Sequence, residues 1–248
     1  MATQPKLIGV LGGMGPAATA EFMQQVIGNT VAETDQGHVP MLVFSDPSIP
    51  DRSTAILDVN ALSPLPALRD YAQRLERAGS TVIVIPCNTA HHFYALISAA
   101  VGIPVLHIAD AVIRNLEDMP DGVSRNVAVM ATAGTVASGF YQTYLDASGR
   151  ACLIPDRIEQ ALISHAIYEI KASRVTVAVL MVVAAARLLR LRGATCVILG
   201  CTELASVRQA VEEELPVVDS TQALALACVR YGMAQVTIPN VIQALSLA

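Results

Sequence analysis

Short apolar runs alternate along this chain with longer amphipathic segments. The short runs are rich in β-branched residues, which is typical of buried parallel strands. They are residues 7–11, 41–44, 81–85 and 105–108 in the first half, and 126–130, 195–199 and 217–218 in the second. The segments between them have helical length, and we expect helices at 17–31, 65–78, 91–100, 158–171, 177–191 and 222–231. This alternation predicts an α/β fold in which mostly parallel sheets are flanked by helices.

The order of strands and helices restarts near the middle of the chain, which indicates a divergent internal repeat. Val10 and Val129, in the opening strands of the two halves, lie 119 residues apart. Such a repeat predicts two pseudo-symmetric domains, with an active site in the cleft between them. We expect the first domain to comprise residues 1–110 plus 222–248, because the last helix can cross back onto it. The second domain is expected at residues 111–221.

A cysteine follows an apolar strand at equivalent places in the two halves. Cys87 lies in the run 86–91, and Cys201 lies 114 residues later in the run 200–204. Ligands bind at the carboxyl ends of parallel strands, and the N-terminus of a following helix favours the thiolate form of a cysteine. We therefore expect two partly exposed thiols that work on one substrate. The remaining cysteines lack this context and are interpreted as structural: Cys152, Cys196 and Cys228.

Composition narrows the function classes. Of the 248 residues 53% are hydrophobic, the formal net charge is −5, and aromatic residues make up 4% with no Trp. An acidic, aromatic-poor chain without a basic cluster argues against a nucleic-acid partner. The most apolar run, residues 175–186, is too short to cross a bilayer, so no membrane association is expected. An odd number of cysteines without a CxxC pair or a secretory signal predicts reduced thiols and a cytoplasmic location.

Two other features bear on cofactors. The glycine-rich run 12–16 follows a strand, but it matches neither GxGxxG nor a P-loop, so no nucleotide site is assigned. It is either a tight turn or a loop that faces a carboxylate group. The neighbouring His91 and His92 point to different sides of a helix and cannot bind one metal ion together. We therefore expect no metal and no cofactor.

Small polar residues and two cations complete the candidate site. Asn88, Thr89 and Thr202 lie at strand-to-helix turns, where a side chain can cap the helix or hold a substrate carboxylate by the same geometry. Arg52 lies in a proline-rich loop, and Lys171 ends an apolar-faced helix. Taken singly, both cations are typical of solvated surface charges.

Six motifs occur in a fixed order along the chain. They are Gly-Gly-Met-Gly-Pro-Ala-Ala-Thr (12–19), Pro-Asp-Arg (50–52), Pro-Cys-Asn-Thr-Ala-His (86–91), Ala-Thr-Ala-Gly-Thr (131–135), Ile-Tyr-Glu-Ile-Lys (167–171) and Gly-Cys-Thr-Glu-Leu (200–204). Together, over about residues 7–220, they resemble the aspartate/glutamate racemase family. The resemblance implies a cofactor-independent racemase of two pseudo-symmetric α/β domains, which forms a homodimer.

The resemblance also implies a role for each candidate residue. Cys87 and Cys201 would be the two acid/base residues. Arg52 and Lys171 would bind the side-chain carboxylate of a small dicarboxylic amino acid. The residues that would hold its α-carboxylate and amino end are Asn88, Thr89, Ala90, Thr132 and Thr202.

The expected chemistry is a two-base proton transfer at Cα. One thiolate removes the α-proton, and the thiol on the opposite face returns a proton, which gives the mirror image. Alternatives on the same scaffold are a maleate isomerase, an arylmalonate decarboxylase or a hydantoin racemase. A carboxylate-binding sensor without turnover is an alternative of another class, against which the presence of both cysteines argues. Arg52 and Lys171 together favour aspartate or glutamate as the substrate.

Overall fold

The structure, a computed structural model, describes residues 6–233. The first half contains, in chain order, β1 (Ile8–Gly12), α1 (Pro16–Asn29), β2 (Met41–Ser45), α2 (Arg52–Leu57), α3 (Leu65–Arg77), β3 (Val82–Val84), α4 (Tyr94–Ser98) and α5 (Ile108–Glu117). The second half contains β4 (Asn126–Ala131), α6 (Ala133–Ser138), α7 (Phe140–Ala147), β5 (Ala151–Leu153), α8 (Arg157–Lys171), α9 (Val175–Leu191), β6 (Cys196–Gly200), α10 (Arg208–Glu212), β7 (Val217–Asp219) and α11 (Ser220–Gly232). Residues 1–5 and 234–248, which the domain prediction includes, lie outside the described range.

The described strands form two parallel sheets with related strand orders. The first is β2-β1-β3 and the second is β5-β4-β6-β7. Val10 in the central β1 pairs with Val43 on one side and Val84 on the other. A parallel bridge between Ile83 and Val105 stands beside β3, at the position that β7 occupies beside β6. The predicted α/β fold with two pseudo-symmetric halves is therefore confirmed.

The strand predicted at 105–108 is wrong in length. Only Val105 forms a bridge, and helix α5 already begins at Ile108. The reason is local, because the His107 side chain accepts a hydrogen bond from the Ala109 N–H and so caps the helix. A cap of this kind starts the helix before an extended strand can form.

The segment after the first cysteine also differs from the prediction of one helix at 91–100. Residues Thr89–Phe93 form a 3-10 turn, and α4 follows it. The second cysteine is likewise followed by a 3-10 turn, Thr202–Val207. The sequence analysis also missed β5, the short helices α2, α6, α7 and α10, and the ten-residue helix α5. Elements of three to eight residues are too short to show a period of hydrophobicity. Helix α5 was missed because its start overlaps the strand predicted at 105–108.

Helix α9 is the apolar helix of the second half. It packs against α8 through a face of small and branched residues that includes the fully buried Ala178, Val182, Ala185 and Leu189. Within residues 6–233 no helix is both long enough and apolar enough to span a membrane.

A shared core of buried apolar side chains joins the two halves. It includes Val10 and Val84 of the first sheet together with Val129 and Ile198 of the second. Helix α11 contributes Leu224 to this core and packs against α1 and α5. Each sheet also has one further apolar cluster on its outer face. The shared core holds the carboxyl ends of β3 and β6 in one region, while the exact domain boundaries stay a prediction.

Candidate active site

The carboxyl ends of β3 and β6 meet at one cleft, to which both halves contribute. The lining residues are Met14, Asp51, Arg52, Ser53, Cys87, Asn88, Thr89, Thr132, Lys171, Cys201, Thr202 and Glu203. Eight of the nine predicted site residues are in this set. The ninth, Ala90, is fully buried and directs its N–H toward the sulfur of Cys87. The structure thus brings the predicted residues together, and their individual roles stay a prediction.

The cleft is closed. Its free volume is about 20 Å³, enough for one water molecule and too small for an amino acid. The start of α6 lies tightly against α2, since a Cβ atom on Gly134 would approach the Ser53 Cα to 2.6 Å. A ligand the size of an amino acid therefore fits only if the cleft widens.

Both thiols are buried, so the expectation of partial exposure is wrong. Cys87 is 5% exposed and Cys201 is 6% exposed. Burial raises the pKa of both thiols. The helix N-termini that were expected to favour the thiolate are short 3-10 turns, and the closed cleft keeps water away. A thiolate at this site therefore depends on the charged groups beside it.

Cys87 is surrounded by donors. Burial raises its pKa, and the Arg52 guanidinium and the Ala90 N–H oppose that rise. His91 holds the main chain of Cys87, because His91 Nδ1 bonds the Cys87 carbonyl at 2.9 Å while the Ile108 N–H donates to His91 Nε2 at 3.1 Å. Burial lowers the pKa of His91 to about 4, so it is neutral with its proton on Nδ1. The pKa of Cys87 stays raised overall, but these donors make its thiolate less unfavourable than burial alone would.

Backbone carbonyls orient the guanidinium of Arg52. Its Nη1 donates to the carbonyls of Ile49 and Pro50, both at 3.1 Å, and its Nη2 donates to the Met14 carbonyl at 3.4 Å. Its Nε is buried without a hydrogen-bond partner in residues 6–233. Within that range no carboxylate lies at salt-bridge distance from Arg52. Arg52 therefore brings an unpaired positive charge to the cleft.

The glycine-rich run beside Arg52 is tightly packed. Gly13 has a positive φ of 89°, and a Cβ atom there would lie 2.3 Å from the Asp46 main chain. The Gly13 N–H donates to Thr19 Oγ1 at 2.9 Å. The part of this run that faces the cleft is Met14, whose carbonyl helps to hold Arg52.

Cys201 has an acceptor at its sulfur instead. Its thiol donates to Glu203 Oε2 at 3.0 Å, and the Thr202 hydroxyl donates to the same oxygen at 3.1 Å. Glu203 Oε1 lies 3.6 Å from Lys171 Nζ. Burial, together with the Glu203 carboxylate, raises the pKa of Cys201 well above its ordinary value. Sequence reasoning missed Glu203, although its place two residues after the cysteine in the motif was the available signal.

Lys171 and Arg52 therefore differ in their surroundings. Burial acts to lower the pKa of Lys171, but Glu203 and the other acidic groups of the cleft, Cys201, Asp51 and Cys87, raise it overall. Lys171 is cationic and is already paired with Glu203, at half exposure. Because Lys171 is paired with Glu203, Arg52 is the cation of the cleft that, among the described residues, remains available to pair with a ligand.

Three hydroxyls form a closed triangle at the start of α6. Thr89 lies 3.0 Å from Thr132 and 2.9 Å from Thr135, and the latter two hydroxyls are 3.0 Å apart. Thr132 also caps α6 by accepting the Thr135 N–H. The capping interpretation does not apply to Asn88, Thr89 or Thr202, whose side chains cap no helix. The Asn88 amide instead bonds Tyr141 and Ser220.

The two adjacent histidines have different environments. His91 is buried with both ring nitrogens bonded, and His92 is exposed. Within the described residues, no three His, Cys, Asp or Glu side chains are placed to hold a metal ion.

A family model, a curated relative and solved structures all point to one protein family. The Asp/Glu/hydantoin racemase family matches residues 11–228. The broad-specificity amino-acid racemase RacX of Bacillus subtilis is 29% identical over 229 residues, which cover 90% of this chain and 96% of RacX. The structure of an aspartate racemase from Picrophilus torridus is 31% identical, with a TM-score of 0.81 and coverage of 92% and 94%. An aspartate racemase homologue from Pyrococcus horikoshii has the same fold at 23% identity, with a TM-score of 0.73 and coverage of 92% and 99%.

Proposed function

This chain belongs to the Asp/Glu/hydantoin racemase family and is a racemase, and we propose that it interconverts L- and D-aspartate or L- and D-glutamate by a two-thiol mechanism without a cofactor. One observation carries the proposal. Two buried cysteines from the two halves, Cys87 and Cys201, line one cleft and have opposite electrostatic partners. Inversion at Cα needs a base on one face and an acid on the other, and this pair supplies both.

The surroundings of the thiols support an assignment of protonation states in the active form of the enzyme. In that form Cys87, beside Arg52 and the Ala90 N–H, is the thiolate, and Cys201, bonded to the Glu203 carboxylate, is the thiol. The Cys87 thiolate takes the α-proton and becomes a thiol, and the electron pair of the C–H bond stays on Cα. Cys201 then gives its proton to the other face of Cα and becomes the thiolate. The reverse reaction exchanges these roles.

The negative charge that develops on Cα and the α-carboxylate needs donors around it. Hydroxyls of the threonine triangle reach the cleft through Thr89 and Thr132, and Thr202 lies on the other side beside Cys201. Preorganised donors in a site that excludes water stabilise such charge strongly. These hydroxyls support the assignment of Thr89, Thr132 and Thr202 to the α-carboxylate and amino end.

The unpaired cation favours a dicarboxylic substrate. Arg52 has no carboxylate partner among the described residues, and its buried Nε is free to donate to one. Lys171 adds positive charge at the same cleft. The 31% identical aspartate racemase supports an acidic substrate, whereas RacX acts on a broad range, and a wider set of amino acids is the second candidate.

A panel of substrates tests this proposal. The enzyme is incubated with each enantiomer of aspartate, glutamate and alanine, with a chelator present and without pyridoxal phosphate, and the products are separated by chiral chromatography. We expect inversion of an acidic amino acid under these conditions. Inversion of none of the six would contradict the proposal, and equal inversion of all would favour the broad-range candidate.

Glu203 is expected to determine the pH at which racemase activity falls on the alkaline side of its pH profile. Racemisation needs Cys87 deprotonated and Cys201 protonated, and both pKa values are raised. Activity therefore rises with pH as Cys87 loses its proton, and it falls at higher pH as Cys201 does. The Glu203→Gln substitution removes the carboxylate that raises the Cys201 pKa, so the falling limb is expected at lower pH. The rising limb is expected to move less, because Glu203 bonds Cys201 directly and acts on Cys87 only from a distance.

The measurement is kcat/KM against pH for the wild type and the variant. The matched control is Glu212→Gln, which removes a carboxylate of a surface ion pair with Arg208. We expect the control to keep both limbs of the wild-type profile. A falling limb that stays in place in Glu203→Gln would show that Glu203 does not hold the Cys201 proton.

We also propose that the enzyme is a homodimer, as the family resemblance implies. Helix α9 leaves Val177 and Leu180 exposed by 42% and 74%, and contiguous exposed apolar side chains are typical of interaction surfaces. Size-exclusion chromatography with light scattering is expected to give twice the mass of the chain. A mass of one chain at micromolar concentration would contradict the homodimer.

The proposal includes a reducing compartment such as the cytoplasm. All five cysteines are unpaired in the structure. Two of them must stay free thiols for the proposed chemistry, and free thiols persist in reducing compartments.

A further inference from the structure

A chain of buried hydrogen bonds joins the two strand ends that carry the cysteines. Asn88, the residue after Cys87, accepts a hydrogen bond from the Tyr141 hydroxyl at 2.6 Å through Oδ1. Its Nδ2 donates to Ser220 Oγ at 2.9 Å. Ser220 Oγ in turn donates to the Leu199 carbonyl at 2.7 Å, two residues before the other cysteine. The chain thus reaches from the end of β3 to the end of β6.

Its donors and acceptors allow one arrangement. The Leu199 carbonyl can only accept, so the Ser220 proton points to it and Ser220 must accept from the Asn88 amide. The Asn88 oxygen then accepts from Tyr141, whose pKa is raised by burial so that its hydroxyl stays protonated. Asn88 is 2% exposed, and Tyr141 and Ser220 are fully buried. A fully satisfied buried network of this kind is rigid.

We propose that Tyr141 and Ser220 are positioning residues of the racemase, which act through Asn88 to fix the end of β3 against the end of β6 and so set the two thiols on opposite sides of one Cα. This inference rests on the proposed two-thiol function. Neither residue lines the cleft, and each bonds a group one or two residues from a cysteine.

Their effect follows from the geometry of proton transfer. The acid must reach the carbanion before the proton returns to the face it left, and a misplacement of about 1 Å can lower a rate by roughly a hundredfold. When the acid on the opposite face is displaced, the carbanion survives longer beside the thiol that took its proton. That thiol then exchanges its proton with solvent and returns a solvent proton to the original face. Loss of positioning therefore uncouples exchange at Cα from inversion.

The test uses Tyr141→Phe and Ser220→Ala in deuterated water with the better acidic substrate in its L form. Two initial rates are measured by chiral separation and mass spectrometry: formation of the D enantiomer, and deuterium incorporation into the remaining L enantiomer. We expect kcat for inversion to fall by about tenfold to a hundredfold with a small change in KM. We also expect the ratio of L-deuteration to inversion to rise at least severalfold. Tyr141→Phe removes a single oxygen atom, so it keeps the test valid if Ser220→Ala folds poorly.

The matched control is Tyr231→Phe, which removes a tyrosine hydrogen bond to the Thr81 carbonyl, at 3.0 Å, away from the cleft. Its exchange-to-inversion ratio is expected to equal that of the wild type. A racemising wild type whose Tyr141 and Ser220 variants lose both rates by the same factor, or neither, would overturn the positioning role alone. A wild type that inverts no amino acid would overturn the proposed function and the positioning role with it.

Discussion

Replacing either Cys87 or Cys201 by alanine is expected to abolish measurable racemisation while the protein stays folded. General acid or base catalysis by one positioned group contributes about 10²-fold to 10⁴-fold to a rate, and inversion requires both groups in each turnover. Each variant keeps one thiol, so deuterium exchange into the enantiomer that faces that thiol is expected to survive. The measurements are chiral chromatography for inversion and mass spectrometry for exchange.

The chain supplies a matched control for this experiment. Cys152 lies on the edge strand β5, half-buried and away from the cleft, and Cys152→Ala is expected to keep wild-type racemisation. The thermal unfolding midpoint of all three variants shows whether a variant lost activity because a catalytic group is missing or because the protein no longer folds. Wild-type racemisation in Cys87→Ala or Cys201→Ala would contradict the two-thiol mechanism.

Replacing Arg52 by alanine is expected to change which substrates the enzyme prefers. A charge-assisted hydrogen bond to a carboxylate is worth roughly 1.5–3 kcal/mol, which corresponds to about tenfold to 150-fold in kcat/KM. Arg52 also lies beside Cys87, so turnover of every substrate falls to some degree. The specific effect is therefore the ratio of kcat/KM for aspartate or glutamate to kcat/KM for alanine, which we expect to fall by that factor.

Two further variants complete the Arg52 test. Arg52→Lys is expected to restore only part of the ratio, because an ammonium group cannot reproduce the planar fork of donors. Arg74→Ala, which removes an exposed arginine paired with Asp70, is the control and is expected to leave the ratio unchanged. An equal fractional loss for acidic and neutral substrates in Arg52→Ala would show that Arg52 serves the thiol or the α-carboxylate, and not the distal carboxylate.

Much of the fold could be predicted from the sequence because its main elements are long and periodic. Strands such as β1 and β4, and helices such as α8 and α9, carry five or more residues of clear pattern. The segments around the cleft could not be predicted as well. The expected strand at 105–108 gave way to a capped helix, and α2 and α6, which close the cleft, are only six residues each.

The candidate site, too, could be predicted only in part. The motifs placed Cys87 and Cys201 at strand ends, and the structure puts both in one cleft. Their burial was not predictable, because it arises from the closing of two halves whose contacts are remote in sequence. The positioning chain has the same origin, since Tyr141 and Ser220 lie 53 and 132 residues from Asn88. Of these features, only Glu203 could have been predicted from the sequence, because it lies inside the motif that contains Cys201.

The central claim, that two opposed thiols invert Cα, is tested most directly by the position of deuterium at early times. The wild-type enzyme reacts with L-aspartate, and separately with L-glutamate, in deuterated water, and the enantiomers are separated before a tenth of the substrate has turned over. We expect the D product to carry one deuterium at Cα, delivered by the thiol on the opposite face, while the remaining L substrate keeps its hydrogen. Deuterium that enters both enantiomers at equal rates from the first time points would show that a single base serves both faces, and would contradict the account.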